Sequence, residues 1–520
     1  MFNLKEEEEF KSLSIHSIHR RVDRQENSLF NHLRSIDLDS KFVNDIALCY
    51  SKYALVANLR CGAWYSANFK YSCYFRSTDG HYGNWRFSLT RLNLNIIDLV
   101  LKYDGCLIVD STKRGKKFPD SFTRTIPIWI AVINRCLYKL KSESIQTVMN
   151  DNLIAEQWNQ LYTPKWVTDS ERDQMLKMVD SYCKLLMEHA DTLDLKSYSS
   201  RLHKPLRPLW LSVETQPIIL EFEQQQQQQQ TSNNNNNNNN DDDKEEQLDF
   251  HPLYLLSCSD FREDHKSFRA YIQGAGDDDE NWSMGLTPQM YWSNHKEIMS
   301  QENDEQLEQY IQQLVKSERT KKDIIIFNSN SNNNNNEDKQ KETIIEESNE
   351  FKTIDNTYIT ISSSKELTDI WNRFDLIINC SIVNYVIDNQ DDDKIKNNYI
   401  HIPMKEGKLA KNDLVENLRL CEQWLLSKMK DDTKRNRILI HSINGLQNCV
   451  CVLSVLLSKH LHLFTDSLES FDFFNRNKLT KSDIIKLYLF LEKQSPSSLP
   501  HKSIRNAINN YLLSTNISYK

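Results

Sequence analysis

The sequence contains no cysteine pair of the C-x-x-C type. Its 11 cysteines are scattered over 520 residues, and Cys449 and Cys451 are the two closest. This odd, dispersed set does not resemble a disulfide framework, and the first residues, MFNLKEEEEF, lack the basic and apolar regions of a secretory signal. We therefore expect reduced thiols in an intracellular, cytoplasmic protein.

Long apolar runs and a general excess of positive charge are also missing. No segment approaches the roughly 18 apolar residues of a membrane span, so we expect no membrane association. The net charge is −8, which argues against general binding of polyanions and requires a local basic patch for any nucleic acid. Such a patch is present, because eight cations and only two carboxylates lie between Asp110 and Lys141.

The segment DGCLIVDSTKRGKKFPDSFTRTIPIW, residues 104–129, carries this patch. The apolar run Cys106–Val109 predicts a buried strand that ends in Asp110, and Pro119 stops regular structure after the loop. We predict phosphate or donor binding by the loop residues Ser111, Thr112, Lys113, Arg114, Gly115, Lys116 and Lys117. Asp110 could hold Mg²⁺ or ribose hydroxyls. A solvated basic turn is the alternative, and the Walker A spacing is absent.

A second glycine-containing segment, YIQGAGDDDENWSMGLTP, begins at Tyr271. Gly274 and Gly276 precede the carboxylates of Asp277, Asp278 and Asp279. Glycines beside clustered carboxylates suit a Mg²⁺–phosphate site, and we predict phosphate or donor binding by the two glycines and metal binding by the three aspartates. An acidic turn before a helix is the alternative.

Hydrophobic periodicity predicts an α/β protein with an α+β N-terminal domain and a C-terminal three-layer α/β domain. Helices are expected at residues 29–36, 42–50, 91–102, from 127 onward, and at 169–192, 413–429 and 449–460. Strands are expected at residues 60–65, 73–76, 85–88, 106–109, 204–212, 218–222, 252–257, 269–272, 376–380, 399–402 and 437–441.

Runs of Gln, Asn and acidic residues interrupt the chain and predict disordered inserts at 223–247 and 328–348. Such inserts belong in surface loops, so the flanking segments can share one fold. We expect a charged N-terminal segment at 1–27, a first domain at 28–350 and a second at 356–520.

Four motifs occur in this order: RCGAWY, STDGH, DSTKRGKKFPDS with IPIW, and YIQGAGDDDENWSMGLTP. Together they closely resemble the initiator-tRNA phosphoribosyl transferase family. The resemblance implies transfer of 5-phosphoribosyl from phosphoribosyl pyrophosphate to the 2′-hydroxyl of adenosine 64 of initiator tRNA, which keeps that tRNA out of elongation. It also implies Mg²⁺ as cofactor and initiator tRNA as partner, and no obligatory protein partner is inferred.

Candidate roles follow from the chemistry of such a transfer. The acceptor hydroxyl must lose a proton, and Asp79 and His81 in STDGH are both candidate bases, beside Asp110 as a third catalytic candidate. We predict tRNA contacts at Arg60, Trp64, Tyr65 and Arg124. Structural roles for Arg60, Trp64 and Tyr65 remain the alternative.

The C-terminal motifs YIHIPMKEGK, ILIH with its following loop, and KSIRNAINNYLL resemble that family's second domain, which is similar to dual-specificity phosphatases. Those enzymes use His-Cys-x5-Arg, whereas this loop begins with His441 and Ser442, contains Gly445 and has Asn448 in the arginine position. Serine is a weak nucleophile without a base, and asparagine cannot neutralise phosphate. We expect a dead phosphatase fold. A non-catalytic tRNA-binding protein and an RNA or protein phosphatase remain the alternative functions.

Overall fold

The computed structural model describes residues 27–113, 115–144, 152–215, 248–260, 271–322, 351–364, 370–382, 384, 397–405, 413–429, 435–443, 445–466, 471, 479–495 and 498–514. Both predicted inserts, the predicted strand at 218–222, Arg114 and all but the last residue of segment 1–27 lie outside them. The chain divides into two compact units, residues 1–87, 96–184 and 198–316 in one and the remainder in the other. The predicted domain bounds stay a prediction.

The first unit contains one five-stranded sheet. Its strands are β1 (Ala54–Asn58), β2 (Tyr71–Cys73), β3 (Cys106–Asp110), β4 (Leu206–Ser212) and β5 (His251–Ser257). They are ordered β2-β1-β3-β5-β4, and every neighbouring pair is parallel. The α/β class is confirmed. Within it, the α+β arrangement expected of the N-terminal domain is corrected, because strands joined in parallel register need helical crossovers.

The described residues between 29 and 322 also form a set of helices. They are α1 (Leu29–Cys49), α2 (Asn95–Tyr103), α3 (Ile126–Ser144), α4 (Asn152–Asn159), α5 (Asp169–Met187), α6 (Leu195–Arg201), α7 (Pro288–Ser293), α8 (His295–Met299) and α9 (Asp304–Lys322). Helix α1 packs on Leu107 and Val109, whose side chains share one face. Helix α3 is fixed to β4 because Asn134 exchanges two hydrogen bonds with the Leu206 backbone, at 2.8 and 2.9 Å.

Several predicted elements are corrected. The two helices expected at 29–36 and 42–50 are one continuous helix, since Asp39 and Ser40 are buried polar residues that interrupt the apolar pattern without ending the helix. The expected strand at 60–65 contains the 3₁₀ helix Gly62–Tyr65, and strand β2 ends where the strand expected at 73–76 begins. No strand forms at 85–88 or at the described residues 271–272, whereas β1 is a strand that the pattern did not indicate.

The second unit contains a sheet of five strands. These are β6 (Lys352–Thr353), β7 (Ile359–Ser362), β8 (Leu376–Asn379), β9 (Tyr399–His401) and β10 (Ile438–His441), in the order β6-β7-β10-β8-β9. Only the β6–β7 pair is antiparallel. The helices are α10 (Ile370–Arg373), α11 (Leu414–Lys428), α12 (Leu446–His460), α13 (Lys481–Gln494) and α14 (Lys502–Ser514).

Helix α12 begins at Leu446, three residues before the predicted start at Cys449. Gly445 precedes it with a φ of +108°, a conformation that suits glycine and ends the loop early. Among the helices that the structure describes, none combines the length and apolar character needed to cross a bilayer.

Candidate functional site

The candidate site lies where the strand order of the first sheet reverses. The chain passes from β1 outward to β2 and then returns to the opposite side of β1 to form β3. In open α/β sheets ligands bind beyond the carboxyl ends of strands at such a switch point. Asn58 and Asp110 are the last residues of β1 and β3, so the topology places both at this position.

The Asp110 carboxylate is fully buried and surrounded by hydrogen-bond donors. Oδ2 accepts from Asn58 Nδ2 at 2.8 Å and from Ser121 Oγ at 2.9 Å. Oδ1 accepts from the Ser111 backbone N–H at 2.9 Å and from Cys61 Sγ at 3.0 Å. These contacts hold the predicted catalytic carboxylate in one orientation, with both oxygens engaged.

Arg60 joins this carboxylate to the distant aspartate segment. Its Nε and Nη2 donate to the two Asp110 oxygens at 3.1 and 2.9 Å, and its Nη1 donates to Asp277 Oδ2 at 2.5 Å. Nη2 also contacts the Ser111 carbonyl. Burial by itself would lower the pKa of Arg60, but the charges of Asp110, Cys61 and Asp277 and the hydrogen bonds to Asp110 together outweigh burial and raise this pKa above its usual value. Arg60 is thus a partly buried cation held between two carboxylates.

The segment from Gly274 to Asp279 lies against the loop that follows β3. Gly274 has a φ of +71°, and a Cβ there would stand 2.7 Å from the Thr112 carbonyl oxygen. The Gly276 N–H donates to Tyr65 Oη at 2.8 Å, and Tyr65 donates to Ser111 Oγ at 2.9 Å. The two glycines therefore allow a close backbone approach, which brings together motifs more than 150 residues apart in the sequence.

Each of the three predicted metal ligands has a different partner. Asp277 pairs with Arg60, Asp278 pairs with Lys113 at 3.0 Å, and Asp279 accepts from Trp64 Nε1 at 3.1 Å. Burial raises the pKa of Asp279. Among the described residues no group of three or more carboxylate, histidine or cysteine ligands is arranged to hold a metal.

These three aspartates do not form a site in which protein ligands alone surround a metal ion. They fit a Mg²⁺ ion that is held mainly by phosphate oxygens, since such ions need only one or two carboxylates. Asp278, whose side chain is 67% exposed, is the most accessible of the three. Metal binding at this segment stays a prediction.

The basic loop is fixed by a residue that the sequence did not single out. Gln273 accepts from the Gly115 N–H at 2.7 Å and donates to the Lys116 carbonyl at 2.8 Å. The Gly115 N–H, which we expected near phosphate, is therefore engaged by this side chain. Lys116 pairs with Asp120 at 3.1 Å, and Lys117 pairs with Glu214.

The two candidate bases differ in accessibility. Asp79 is buried, whereas the His81 side chain is 54% exposed with its Nε2 3.8 Å from Asp120 Oδ2. His81 borders a pocket of about 690 Å³. The residues that line it are His81, Tyr82, Lys116, Lys117, Phe118, Asp120, Thr123, Arg124 and Trp166. Exposure favours His81, and the assignment of either base stays a prediction.

Burial favours structural roles for some predicted tRNA contacts. Trp64 and Tyr65 are 1% and 0% exposed, and Arg60 belongs to the ion pairs described above. Arg124 lines the pocket, but Glu171 holds its guanidinium through Nε–Oε1 and Nη2–Oε2 contacts of 2.6 and 3.2 Å. Little of the surface of these side chains is therefore accessible to an RNA.

The loop after β10 in the second unit has a different character. His441 is buried and donates from Nε2 to the Ser364 carbonyl at 2.7 Å, and burial lowers the pKa of His441 to about 4. Ser442 is fully buried, and its Oγ has no hydrogen-bond partner among the described residues. Asn448 turns inward and donates to the carbonyls of Cys380 and Met404, at 3.4 and 3.1 Å. The position of the phosphatase arginine is thus used for internal packing.

Sequence reasoning missed the residues that orient the charged groups. Asn58 exchanges two hydrogen bonds with the Phe75 backbone, at 2.8 and 3.0 Å, and so presents its amide N–H to Asp110. Ser121 contacts Asp110, and Asp120 contacts Lys116 and Arg124. Gln273 contacts Gly115, which lies 158 residues earlier in the sequence. Asn58 lies outside the recognised motifs, whereas Gln273 lies within YIQGAGDDDENWSMGLTP, so that motif was the signal that could have identified Gln273.

These observations define a parallel α/β domain with a charged site at its switch point, followed by a second α/β unit that has a degenerate loop. Residues 22–316, more than half of the chain, match the family model described as the Rit1 N-terminal domain, and residues 398–512 match the Rit1 DUSP-like domain. The chain belongs to the Rit1 family.

Two relatives show the extent of the similarity. An uncharacterized protein of Schizosaccharomyces pombe is 35% identical over 297 residues, which cover 56% of this chain and 57% of the relative. The tRNA A64-2′-O-ribosylphosphate transferase of Saccharomyces cerevisiae is 32% identical over 311 residues, which cover 58% of this chain and 57% of that protein. The match thus spans a little over half the length of these relatives. No solved structure matches the chain.

Proposed function

We propose that this protein is an enzyme that transfers 5-phosphoribosyl from phosphoribosyl pyrophosphate to the 2′-hydroxyl of adenosine 64 of initiator tRNA. The observation that carries the proposal is the 32% identity to a relative named for ribosylphosphate transfer to that position. The convergence of Arg60, Asp110 and Asp277 within the matched residues 22–316 supports a catalytic rather than a purely binding role.

The reaction breaks the bond between C1 of the donor ribose and pyrophosphate, and forms a bond from C1 to the acceptor 2′-oxygen. The leaving pyrophosphate takes negative charge, and Lys113 would neutralise it. Lys116 and Lys117 on the same loop are available to the phosphates of the donor or of the tRNA. Lys113 and Lys116 now pair with exposed or half-buried carboxylates, contacts that a phosphate can replace at small cost. Mg²⁺ held at Asp277–Asp279 would supply further charge neutralisation.

The acceptor hydroxyl must transfer its proton to a base. His81 is accessible, and its imidazole is of the side-chain type that most often acts as a general base in enzymes. Asp79 lies two residues away in the same 3₁₀ segment and is the alternative. Asp110 cannot serve as this base in the observed arrangement, because both its oxygens accept hydrogen bonds within the buried network; it positions Arg60 instead.

We place the reaction in the cytoplasm with initiator tRNA as the partner and no obligatory protein subunit. A non-catalytic tRNA-binding protein is the alternative within the same family. The buried Ser442 and the inward Asn448 argue against phosphatase activity in the second unit.

The test is incubation of the purified chain with donor labelled in its ribose, Mg²⁺ and separately purified initiator and elongator tRNAs. We expect label at adenosine 64 of the initiator tRNA, with pyrophosphate released in equal amount, and no transfer after chelation of Mg²⁺. Binding of tRNA without transfer under these conditions would favour the non-catalytic alternative, and equal labelling of both tRNAs would refute initiator selectivity.

A further inference from the structure

We infer that the pocket bordered by Trp166 receives the acceptor nucleotide of the RNA, with a base stacked on the indole ring and the strand's phosphates beside Lys116 and Lys117. This inference rests on the proposed function, because it assigns the acceptor side of the same site. The pocket, at about 690 Å³, falls within the roughly 300–1,000 Å³ of sites that enclose small ligands.

Trp166 is exceptional among the tryptophans. All ten lie within the described ranges, and Trp166, at 55%, is the only one that is exposed. Tyr82, which lines the same pocket, is 74% exposed. Two large aromatic side chains open to solvent in one pocket are a typical platform for unpaired bases.

The indole is held in place rather than free to rotate. The Val167 N–H donates to the Pro164 carbonyl at 3.0 Å, which closes a turn that carries Trp166. Phe118, itself 5% exposed, stacks on the indole with ring centroids 5.6 Å apart and planes 18° apart. Phe118 extends the stack from the protein interior, so a base added to the indole would continue an existing column of rings.

Positive charge lies on the same wall. The Lys116 side chain is 56% exposed and the Lys117 side chain 33% exposed. Among the described residues that line the pocket, Asp120 is the only carboxylate, and it accepts from Lys116 at 3.1 Å and from Arg124 at 3.4 Å. Aromatic rings beside lysines and a held arginine match the bases and phosphates of an RNA strand better than they match an apolar ligand or a cation.

His81 connects this pocket to the reaction. It is the accessible candidate base and borders the same space as Trp166 and Lys116. A nucleotide stacked on Trp166 would therefore bring its ribose to the wall that carries the imidazole. Lys113 and Asp278, by contrast, do not line the pocket, which leaves them for the donor.

The experiment compares Trp166→Ala, Trp166→Phe and Leu48→Ala in the full chain. Leu48 is 75% exposed at the end of α1 and serves as the control for loss of an exposed apolar side chain. Loss of one stacked base by alanine substitution corresponds to a roughly 5- to 150-fold weaker interaction. We expect Trp166→Ala to lower kcat/KM for tRNA, and to raise the Kd for tRNA in a filter-binding assay, by a factor in that range. The KM for the donor should stay unchanged, and Trp166→Phe should recover most of both properties.

The outcomes separate the two proposals. If wild type shows no transfer but tRNA binding still depends on Trp166, the proposed function fails and the pocket assignment stands. If wild type transfers and neither tRNA kinetics nor tRNA binding responds to Trp166→Ala, the pocket assignment is overturned while the function stands. A raised KM for the donor alone would assign the pocket to the donor and would also overturn the inference. Melting temperatures within a few degrees of wild type confirm that the variants are folded.

Discussion

The carboxyl edges of the two sheets use buried polar groups in opposite ways. At the end of β3, Asp110 is enclosed by donors and paired with Arg60, which reaches a second aspartate. At the end of β10, the buried Ser442 hydroxyl has no hydrogen-bond partner among the described residues. The buried charges of the second unit include an ion pair elsewhere, between Glu422 of α11 and Lys459 of α12.

This difference separates a site from a scaffold. Buried ion pairs cost desolvation energy and are a poor way to stabilise a fold, so a network at a switch point indicates a functional demand. An ion pair between two helices, away from the ends of the strands, indicates a role in the packing of those helices. The comparison therefore predicts that charge removal affects activity in the first unit and only stability in the second.

The largest effect is expected from the basic loop. Replacing Lys113, Arg114, Lys116 and Lys117 together with alanine should abolish transfer, because the donor and the tRNA both carry phosphate charges that these cations would neutralise. The measurement is donor-dependent labelling of tRNA, with donor and tRNA binding measured separately to show which substrate is lost.

The matched control is the double variant Lys139→Ala, Lys141→Ala. Both lysines belong to the same basic segment but lie late in α3, outside the candidate site. We expect wild-type transfer from this variant. If the loop variant instead keeps wild-type turnover, the loop is a solvated turn, and the charges of the first unit no longer indicate a functional role.

The next effect concerns Asp110→Asn. The groups around the carboxylate are donors, including Asn58 Nδ2, Arg60 Nη2 and the Ser111 N–H, so an amide NH₂ must face at least one of them. Arg60 would also lose one of its two carboxylates. We expect transfer to fall by at least about 10²-fold. Loss of one partner of a buried pair should also lower the free energy of unfolding by about 3 kcal/mol.

A cycle with Arg60→Met and the double variant distinguishes positioning from direct chemistry. If Asp110 acts by holding Arg60, the double variant should lose little more activity than either single variant, since effects in one network are not additive. Additive losses would show that Asp110 has a role in the reaction that is independent of Arg60. If activity falls only in proportion to the loss of folded protein, seen as a lowered melting temperature, Asp110 has a structural role.

The sequence revealed this site only in part. Strand β3 was predictable because a short apolar run is bounded by polar residues on both sides, and Asp110 was predictable as its end. The contact of Arg60 with Asp277 joins residues 217 positions apart, and no local pattern encodes it. The aromatic run near Trp64 predicted a strand, but packing of Gly62 against the Val109 carbonyl makes this segment a 3₁₀ turn. Tertiary packing overrode local propensity there.

In the second unit, Glu422→Gln should affect stability but not transfer. Burial by itself raises the pKa of Glu422. Hydrogen bonds from His460, Tyr511 and Lys459, together with the charge of Lys459, outweigh burial and lower the pKa to about 2. The glutamine variant would leave Lys459 buried without a carboxylate and should lose on the order of 3 kcal/mol of unfolding free energy near neutral pH.

The pH dependence follows from the sign of this shift. A carboxyl whose pKa is lower in the folded state stabilises the fold above its unfolded value of 4.5, and this stabilisation is lost as the pH falls from about 4.5 towards 2. Denaturant unfolding between pH 6 and pH 3 should show this loss in wild type and a weaker dependence in Glu422→Gln. Glu416→Gln, at an exposed position of the same helix, is the control. If Glu422→Gln lowers transfer without lowering stability, Glu422 takes part in the function, and the contrast between the two units is wrong.

The smallest effect is expected at Ser442. Its hydroxyl is buried without a partner among the described residues, so Ser442→Ala removes an unsatisfied group and should leave stability equal or raise it by up to about 1 kcal/mol. Neither wild type nor Ser442→Cys should hydrolyse aryl phosphates, because Asn448 is committed to two backbone carbonyls and supplies no cation. Adding Asn448→Arg forces a guanidinium into a buried position, so this double variant should lose stability. Aryl-phosphate hydrolysis by wild type that disappears in Ser442→Ala would identify Ser442 as a nucleophile and place an active site at the carboxyl edge of the second sheet too.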